Sequence, residues 1–243
     1  MDKVFVITVC RNAGELLEPT IQSVLNQTYA KLQFIIVDGG STDGSVEIIK
    51  NYSQHIAAWV SEPDKGIYDA MNKGIRMANS LLGDDESAWI NFMNAGDVFT
   101  DDKVIEDVFK GGVEKEMKVI VGHFNRCSSD EKLLIRVGDI NYLPAWMPFC
   151  HQATFVRLGD CLFDTKYKIA ADYHLFYNLY FKYGNAVFKV VDRCIADFLM
   201  NGSTTYTNLR ETKKEILKIQ ARHKSWFWLK EWMKWRLSAA LRK

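Results

Sequence analysis

The chain has 243 residues, of which 48% are hydrophobic and 25% charged, with 31 basic against 30 acidic side chains. Those proportions exclude bulk disorder and fibrous classes, and a net charge of +1 makes no case for a nucleic-acid partner. No apolar run approaches the ~18 residues that span a bilayer, and Val4 to Val9 is too short for a signal peptide, so the expected setting is cytoplasmic. Cys10, Cys127, Cys150, Cys161 and Cys194 are scattered and form no C-x-x-C, which fits reduced core thiols and not a zinc site or disulfide framework.

The first half alternates strand and helix signals. Val4 to Val9 is almost entirely apolar, as in a strand buried on both faces. Asn12-Ala13-Gly14 is a turn, and Leu16 to Gln27 places Leu17, Ile21, Val24 and Leu25 on one helical face. Phe34 to Val37 is a second buried strand that ends at Asp38. The loop from Gly39 to Gly44 has the chemistry of a helix start and leads to a helix through Tyr52. Ala57 to Val60 is a short strand, Ile67 to Leu82 a helix, and Ala88 to Met93 a strand followed by Asn94-Ala95-Gly96-Asp97. The second half is less regular. Val119 to Phe124, Leu133 to Val137 and Ala186 to Val191 read as strands, Ala171 to Tyr183 as a helix, and the chain from Leu209 onward as helical. The alternation predicts an α/β fold with a doubly wound, mostly parallel sheet.

Charge is concentrated at one end. From Arg222 to Lys243 there are seven basic residues and one acid, Glu231, which leaves 24 basic against 29 acidic residues elsewhere. Trp226, Trp228, Trp232 and Trp235 lie in the same segment. A basic, Trp-rich helix suits a membrane interface, and the alternative is a C-terminal helix docked on the domain with a solvated basic face.

Ligands of such sheets bind at the carboxyl ends of the strands. The residues placed there are Arg11 and Asn12, Asp38, Glu62 to Gly66, and Asn94 to Asp97. Neither G-x-G-x-x-G nor G-x-x-x-x-G-K-[ST] is present, which speaks against a standard NAD enzyme and a P-loop NTPase. Asp38 is placed to accept from a base or ribose, or simply to cap its Gly-Gly turn. Asp97 is placed to hold a divalent cation against phosphates, or to cap a helix beginning near Asp101. Asp172 can open its helix as a cap, act as a base, or do both. His151 is either a satisfied buried histidine or a residue of the site.

Several segments occur in the order found in family 2 glycosyltransferases. They are Val4 to Asn12, Thr20 to Tyr29, Val37 to Gly44, Ser61 to Gly74, Asn94 to Asp97, His151 to Thr154 and Ala171 to Tyr173. The chain resembles that family over about residues 3 to 205, and most of all the bacterial branch that builds capsule, exopolysaccharide and O-antigen units. The resemblance implies a GT-A fold, a Rossmann-like doubly wound mixed sheet with a C-terminal helical appendage. It implies a glycosyltransferase domain over 1–208, with a nucleotide-binding half (1–100) and an acceptor half (101–208), followed by the basic segment 209–243. It implies inverting transfer from a nucleotide sugar, foremost a UDP-sugar, to a glycan or lipid-linked acceptor at the inner face of the plasma membrane. By the same resemblance, Val9, Arg11, Asp38, Asp64, Lys65, Gly66, Asn72, Asn94 and Ala95 line the nucleotide and donor. Asp38 contacts the base, Asp97 binds Mn²⁺ or Mg²⁺, Asp172 is the general base, and His151 lies on the acceptor side. The sequence departs from the family's aspartate-x-aspartate metal motif, since Asn94 to Asp97 offers one carboxylate. That departure keeps a second reading open, a degenerate member that holds a nucleotide sugar or glycan without turnover.

Overall fold

β1 (Lys3–Cys10) is the axis of the parallel half of the sheet, with parallel partners β2 (Leu32–Asp38) on one side and β4 (Ala88–Phe92) on the other. The structure, a computed structural model, describes residues 2–83, 86–200 and 208–223. β3 (Ala58–Ser61) extends the parallel set beyond β2. Beyond β4 the directions mix. β8 (Thr154–Arg157) runs antiparallel to β4, β6 (Val119–Cys127) antiparallel to β8, and β9 (Phe188–Leu199) parallel to β6. The two-residue β5 (Val98–Phe99) closes the far edge against β9, and β7 (Lys132–Ile135) pairs with the outer half of β6.

Alternation along β1 divides its side chains between two cores. Phe5, Ile7 and Val9 join one face, and Val4, Val6 and Cys10 the other. On the first face lie α3 (Ile67–Ser80) and α5 (Ala171–Tyr183); on the second lie α1 (Leu17–Leu25), α2 (Ser45–Asn51) and α4 (Val104–Phe109). α3 buries Tyr68, Met71, Ile75 and Ala78, the stripe of an amphipathic helix. α6 (Leu209–Gln220) buries Leu217 and Ile219, and Ile219 joins the core that contains α5. The start of the basic segment is thus part of the packed domain. Its Trp-rich remainder, 224–243, lies outside the described residues. Among the described residues no helix is long and apolar enough to cross a membrane.

The expected sheet is present, but β9 is twice as long as the strand read at Ala186 to Val191. Asp192 and Arg193 look like a break in the sequence. The strand passes through them by way of a register shift opposite Gly122. A methyl group at Gly122 would stand 2.6 Å from the Arg193 carbonyl, so the bare backbone makes room for the irregularity. β5 and β8 were not visible in the sequence because each is too short to establish a period, and the helix expected near Asp101 begins at Val104.

Gly74 explains the glycine in the Met71-Asn72-Lys73-Gly74 stretch. A methyl there would stand 2.5 Å from Cγ2 of Ile7 and 3.5 Å from Cγ2 of Val37, so α3 rests directly on β1 and β2. Overpacking of this kind costs about 1–3 kcal/mol, against roughly 1 kcal/mol gained in helix propensity. Gly74→Ala is therefore expected to lower the unfolding temperature by a few degrees, measured by calorimetry, even though the same change stabilises an ordinary exposed helix.

Candidate active site

The crevice begins where β1, β2 and β3 end. Asp38 is fully buried at the last position of β2, opposite Cys10 of β1 and Ser61 of β3. Its Oδ2 accepts from the backbone of Gly40 (3.1 Å) and Ser41 (2.9 Å) and from the Ser61 hydroxyl (2.6 Å). Its Oδ1 accepts from the Ser41 hydroxyl and the Cys10 thiol. Burial pushes its pKa up, but the bonds from Ser41 and Ser61 outweigh it and hold the carboxyl below the usual carboxylate range. The turn-capping role expected as an alternative accounts for this side chain. The base-contact role does not fit it, because both oxygens are occupied inside the protein. Neighbouring turns are tied together as well. Asn12 donates its N–H to Ser41 Oγ and accepts from Thr42 N–H, while Ser45 Oγ accepts from the N–H groups of Ala13 and Gly14.

Arg11, Lys65 and Gly66 are exposed at this rim, and Asp64 is half-buried. Asp64 Oδ1 accepts from Gly66 N–H at 2.8 Å, just before α3. Val9 is buried, and its carbonyl accepts from Ala95 N–H (3.4 Å), which carries the rim onto the turn after β4. Asn72 is not in the crevice. Its amide donates to the Phe163 carbonyl and accepts from the Phe163 N–H, both at 2.9 Å, and so clamps the loop before α5 to α3. The donor contact expected of Asn72 is corrected on that ground.

Asp97 is also turned inward. It is 4% exposed; Oδ1 accepts from Leu199 N–H and Oδ2 from the Gln152 side chain, each at 2.9 Å. Burial raises its pKa to about 6, opposed by those two hydrogen bonds. It caps no helix: α4 begins at Val104, and Asp101 is the residue that accepts from Lys103 N–H. Among the described residues no three His, Cys, Asp or Glu side chains gather as around a metal ion. Asp97 is thus the lone carboxylate at the end of the turn after β4, and a cation bound there would take its other ligands from diphosphate oxygens and water.

The opposite side of the crevice is built around Asp172, in the first turn of α5. Ala170, not Asp172, is the N-cap, and it carries no side-chain cap. The capping is done from α6: Glu215 accepts from the N–H groups of Lys168 (2.8 Å), Ile169 (3.0 Å) and Ala170 (2.9 Å). That frees Asp172 from the capping role considered for it. Its Oδ1 accepts from Tyr173 N–H (2.7 Å), with the Tyr68 hydroxyl 3.2 Å away. Tyr68 donates to the nearer Ile169 carbonyl at 2.6 Å. Oδ2 of Asp172 lies 3.1 Å from Nδ1 of His151, and Nε2 of His151 lies 3.3 Å from the Asn94 amide nitrogen. An amide that donates to Nε2 leaves the imidazole proton on Nδ1, where it donates to Asp172. His151 and Asp172 keep 18% and 19% of their side-chain surface exposed, so the pair faces the crevice. The turn that carries His151 is pinned by Asn91, whose amide donates to the carbonyls of Gln152 and Thr154.

The sequence reading placed Asn94, His151 and Asp172 independently, and the fold brings them into one chain of contacts. It missed Tyr68, Gln152 and Glu215. Tyr68 and Gln152 lie inside the segments singled out, but Glu215 carries no local signal and is found only through α6.

The family model for glycosyl transferase family 2 matches residues 5–174. The chain belongs to that family. A mycobacterial relative, the PGL/p-HBAD biosynthesis glycosyltransferase of Mycobacterium bovis, is 26% identical over 181 residues, covering 69% of this chain and 66% of that protein. Glycosyltransferase GlyA of Streptococcus pneumoniae is 29% identical over 132 residues, 54% of this chain and 18% of its own length. The chain thus spans less than two thirds of either relative. Among solved structures, S. aureus TarS 1–349 in complex with UDP has a TM-score of 0.68 at 15% identity, covering 90% of this chain and 64% of that one. A mannosyltransferase of Pyrobaculum calidifontis in complex with GDP-Man and Mn²⁺ has a TM-score of 0.61 at 18% identity, covering 91% and 64%. At these identities the likeness shows the fold, a GT-A fold as in TarS.

The buried carboxyl of this family 2 member has a measurable signature. With a folded pKa near 6 and an ordinary unfolded one of 3.8, Asp97 favours folding most below about pH 4. That contribution is lost as the pH rises through 6. Asp97→Asn removes the titration and keeps the shape. The stability of the parent relative to Asp97→Asn is expected to fall by roughly 2–3 kcal/mol between about pH 4 and pH 7, read from denaturant unfolding at each pH.

Proposed function

We propose that this chain transfers a sugar from a nucleoside diphosphate sugar, foremost a UDP-sugar, to a hydroxyl of a glycan acceptor, with inversion at the anomeric carbon. The observation that carries the reading is the placement of Asp172. It is a half-buried carboxylate across the crevice from the strand ends, fixed by Tyr173 N–H and His151 and linked through His151 to Asn94. Family membership and the UDP in the TarS structure support the donor class.

In this reading the acceptor hydroxyl gives its proton to Asp172 as its oxygen attacks the anomeric carbon. The bond from that carbon to the diphosphate oxygen breaks, and the electron pair leaves with the nucleoside diphosphate. A single displacement inverts the centre and needs no covalent intermediate. A positioned base contributes roughly 10²–10⁴-fold. His151 holds the carboxylate in one orientation, and Glu215 and Tyr68 fix the helix start that presents it. Mn²⁺ or Mg²⁺ would be held by Asp97 together with the diphosphate, and would supply neutralisation of the charge on the leaving group; the Mn²⁺ in the mannosyltransferase structure supports this. The single carboxylate of the Asn94 to Asp97 stretch keeps a second reading, a binding protein without turnover.

The acceptor we favour is lipid-linked. The seven basic residues and four tryptophans between Arg222 and Lys243 suit an anionic membrane surface, where each basic residue contributes on the order of 1 kcal/mol. A cytoplasmic enzyme of bacterial surface polysaccharide synthesis, peripheral on the membrane, is the role that fits both features.

A screen of nucleotide sugars for thermal stabilisation identifies the donor, and release of the nucleoside diphosphate then measures turnover. Asp172→Asn is expected to keep donor affinity and lower kcat by about 10²-fold or more. Binding of the donor by the parent protein with no turnover on any glycan acceptor favours the binding-protein reading.

A further inference from the structure

Asp172, Tyr173 and His174 are consecutive on α5, so they project in directions about 100° apart. Tyr173 and His174 are buried, and both are tied to the far end of α6. The Tyr173 hydroxyl donates to the Leu143 carbonyl at 3.1 Å and accepts from the Gln220 amide at 3.0 Å. Gln220 is 1% exposed, and the same amide reaches the Ala145 carbonyl at 2.9 Å. Nε2 of His174 lies 2.7 Å from Nη1 of Arg222 and 3.0 Å from the Asn178 amide nitrogen. A guanidinium only donates, so Nε2 accepts and the imidazole is neutral. Burial, and then the Arg222 charge, hold the His174 pKa down at about 4, so this acceptor persists at neutral pH. The Tyr167 ring packs on the same imidazole, with 4.7 Å between ring centres.

We propose that Gln220 and Arg222 are positioning residues for Asp172: acting through Tyr173 and His174, they fix the rotation of α5 about its own axis and so aim the carboxylate into the crevice. This rests on Asp172 being the base of the transfer proposed above. A turn of about 10° moves a carboxyl ~5 Å from a helix axis by roughly 1 Å. A misplacement of that size can cost on the order of 10² in rate. Glu215 binds N–H groups ahead of the helix and so holds α5 along its axis. The ties on Tyr173 and His174 pull in two other directions and hold the rotation, which leaves Asp172 one place to point. Tyr173 transmits the constraint directly, since its own N–H donates to Asp172 Oδ1. Gln220 and Arg222 lie beyond the residues 5–174 that the family model matches, so this chain supplies them from outside the shared domain.

Steady-state kinetics on the full chain test this. The probes are UDP-glucose, UDP-galactose, UDP-GlcNAc and GDP-mannose with a panel of soluble oligosaccharide acceptors, and the readout is release of UDP or GDP. Gln220→Ala and Arg222→Ala should each lower kcat by about tenfold or more and leave the donor KM within about twofold. Arg222→Lys still offers Nε2 a donor and should recover most of the parent kcat. Gln220→Glu turns acceptors toward the 144 and 145 carbonyls and should behave as Gln220→Ala. In an Asp172→Asn background neither alanine variant should lower kcat further, because no base remains to be aimed. Arg222 is exposed, so Arg222→Ala decides the case if Gln220→Ala does not fold. Parental kcat in Arg222→Ala, or losses that multiply with Asp172→Asn, would overturn the proposal and leave the transfer reading standing. Undiminished kcat in Asp172→Asn, or a parent that turns over none of the four donors, overturns both.

Discussion

The buried carboxylate of Asp38 holds the binding edge of this molecule together. Three parallel strands end at one level, and each end leaves backbone groups that need partners. Asp38 collects donors from all three: Cys10 on β1, Gly40 and Ser41 on its own turn, and Ser61 on β3. An uncompensated charge at full burial would cost several kcal/mol, and here the five donors keep it ionised. The residues that remain at the rim, Arg11, Gly39 and Asp64, therefore stand on a fixed floor. A ligand that meets a preformed edge does not have to order it on binding.

The reactive side depends on the same logic applied through α3. Tyr68 at its start reaches the Ile169 carbonyl, Asn72 one turn later clamps Phe163, and Gly74 lets the helix sit against Ile7. One helix thus fixes the loop before α5 relative to the nucleotide strands. Glu215 completes the arrangement from α6 by taking the three N–H groups ahead of Asp172. His151 is set by a separate route, through Asn91 of β4 and the Gln152 to Asp97 contact. The two routes meet at the 3.1 Å contact between His151 and Asp172. Asp97 ties β9 to the His151 turn.

Where a segment buries both faces or a full helical stripe, the sequence showed it. β1, β2, β4, α1, α3 and α5 were all legible, and α5 agreed at both ends. β5 and β8 were not, because neither two residues nor the four after the His151 turn display a period of their own. β9 was truncated in the reading because Asp192 and Arg193 resemble a turn, and only the pairing with Gly122 shows the strand continuing. In the site, Asp172 and His151 were legible through the ordered motifs. The inward bonds of Asp38, Asn72 and Asp97 were not, because a polar residue reads the same whether its side chain faces the crevice or the protein. Only hydrogen-bond partners distinguish the two, and for these residues the partners lie 2 to 102 positions away. Glu215, 45 to 47 residues from the N–H groups it takes, was missed for the same reason.

The central claim is that a nucleotide sugar binds at the carboxyl ends of β1 to β3, between that rim and Asp172. Amide hydrogen exchange on the full chain, with and without saturating UDP, tests it most directly. The account predicts slowed exchange in the segments 10–14, 39–42 and 61–66, with the opposite end of the sheet unchanged. Protection confined to that opposite end, around the cavity lined by Asp2, Phe109 and Val113, would contradict it.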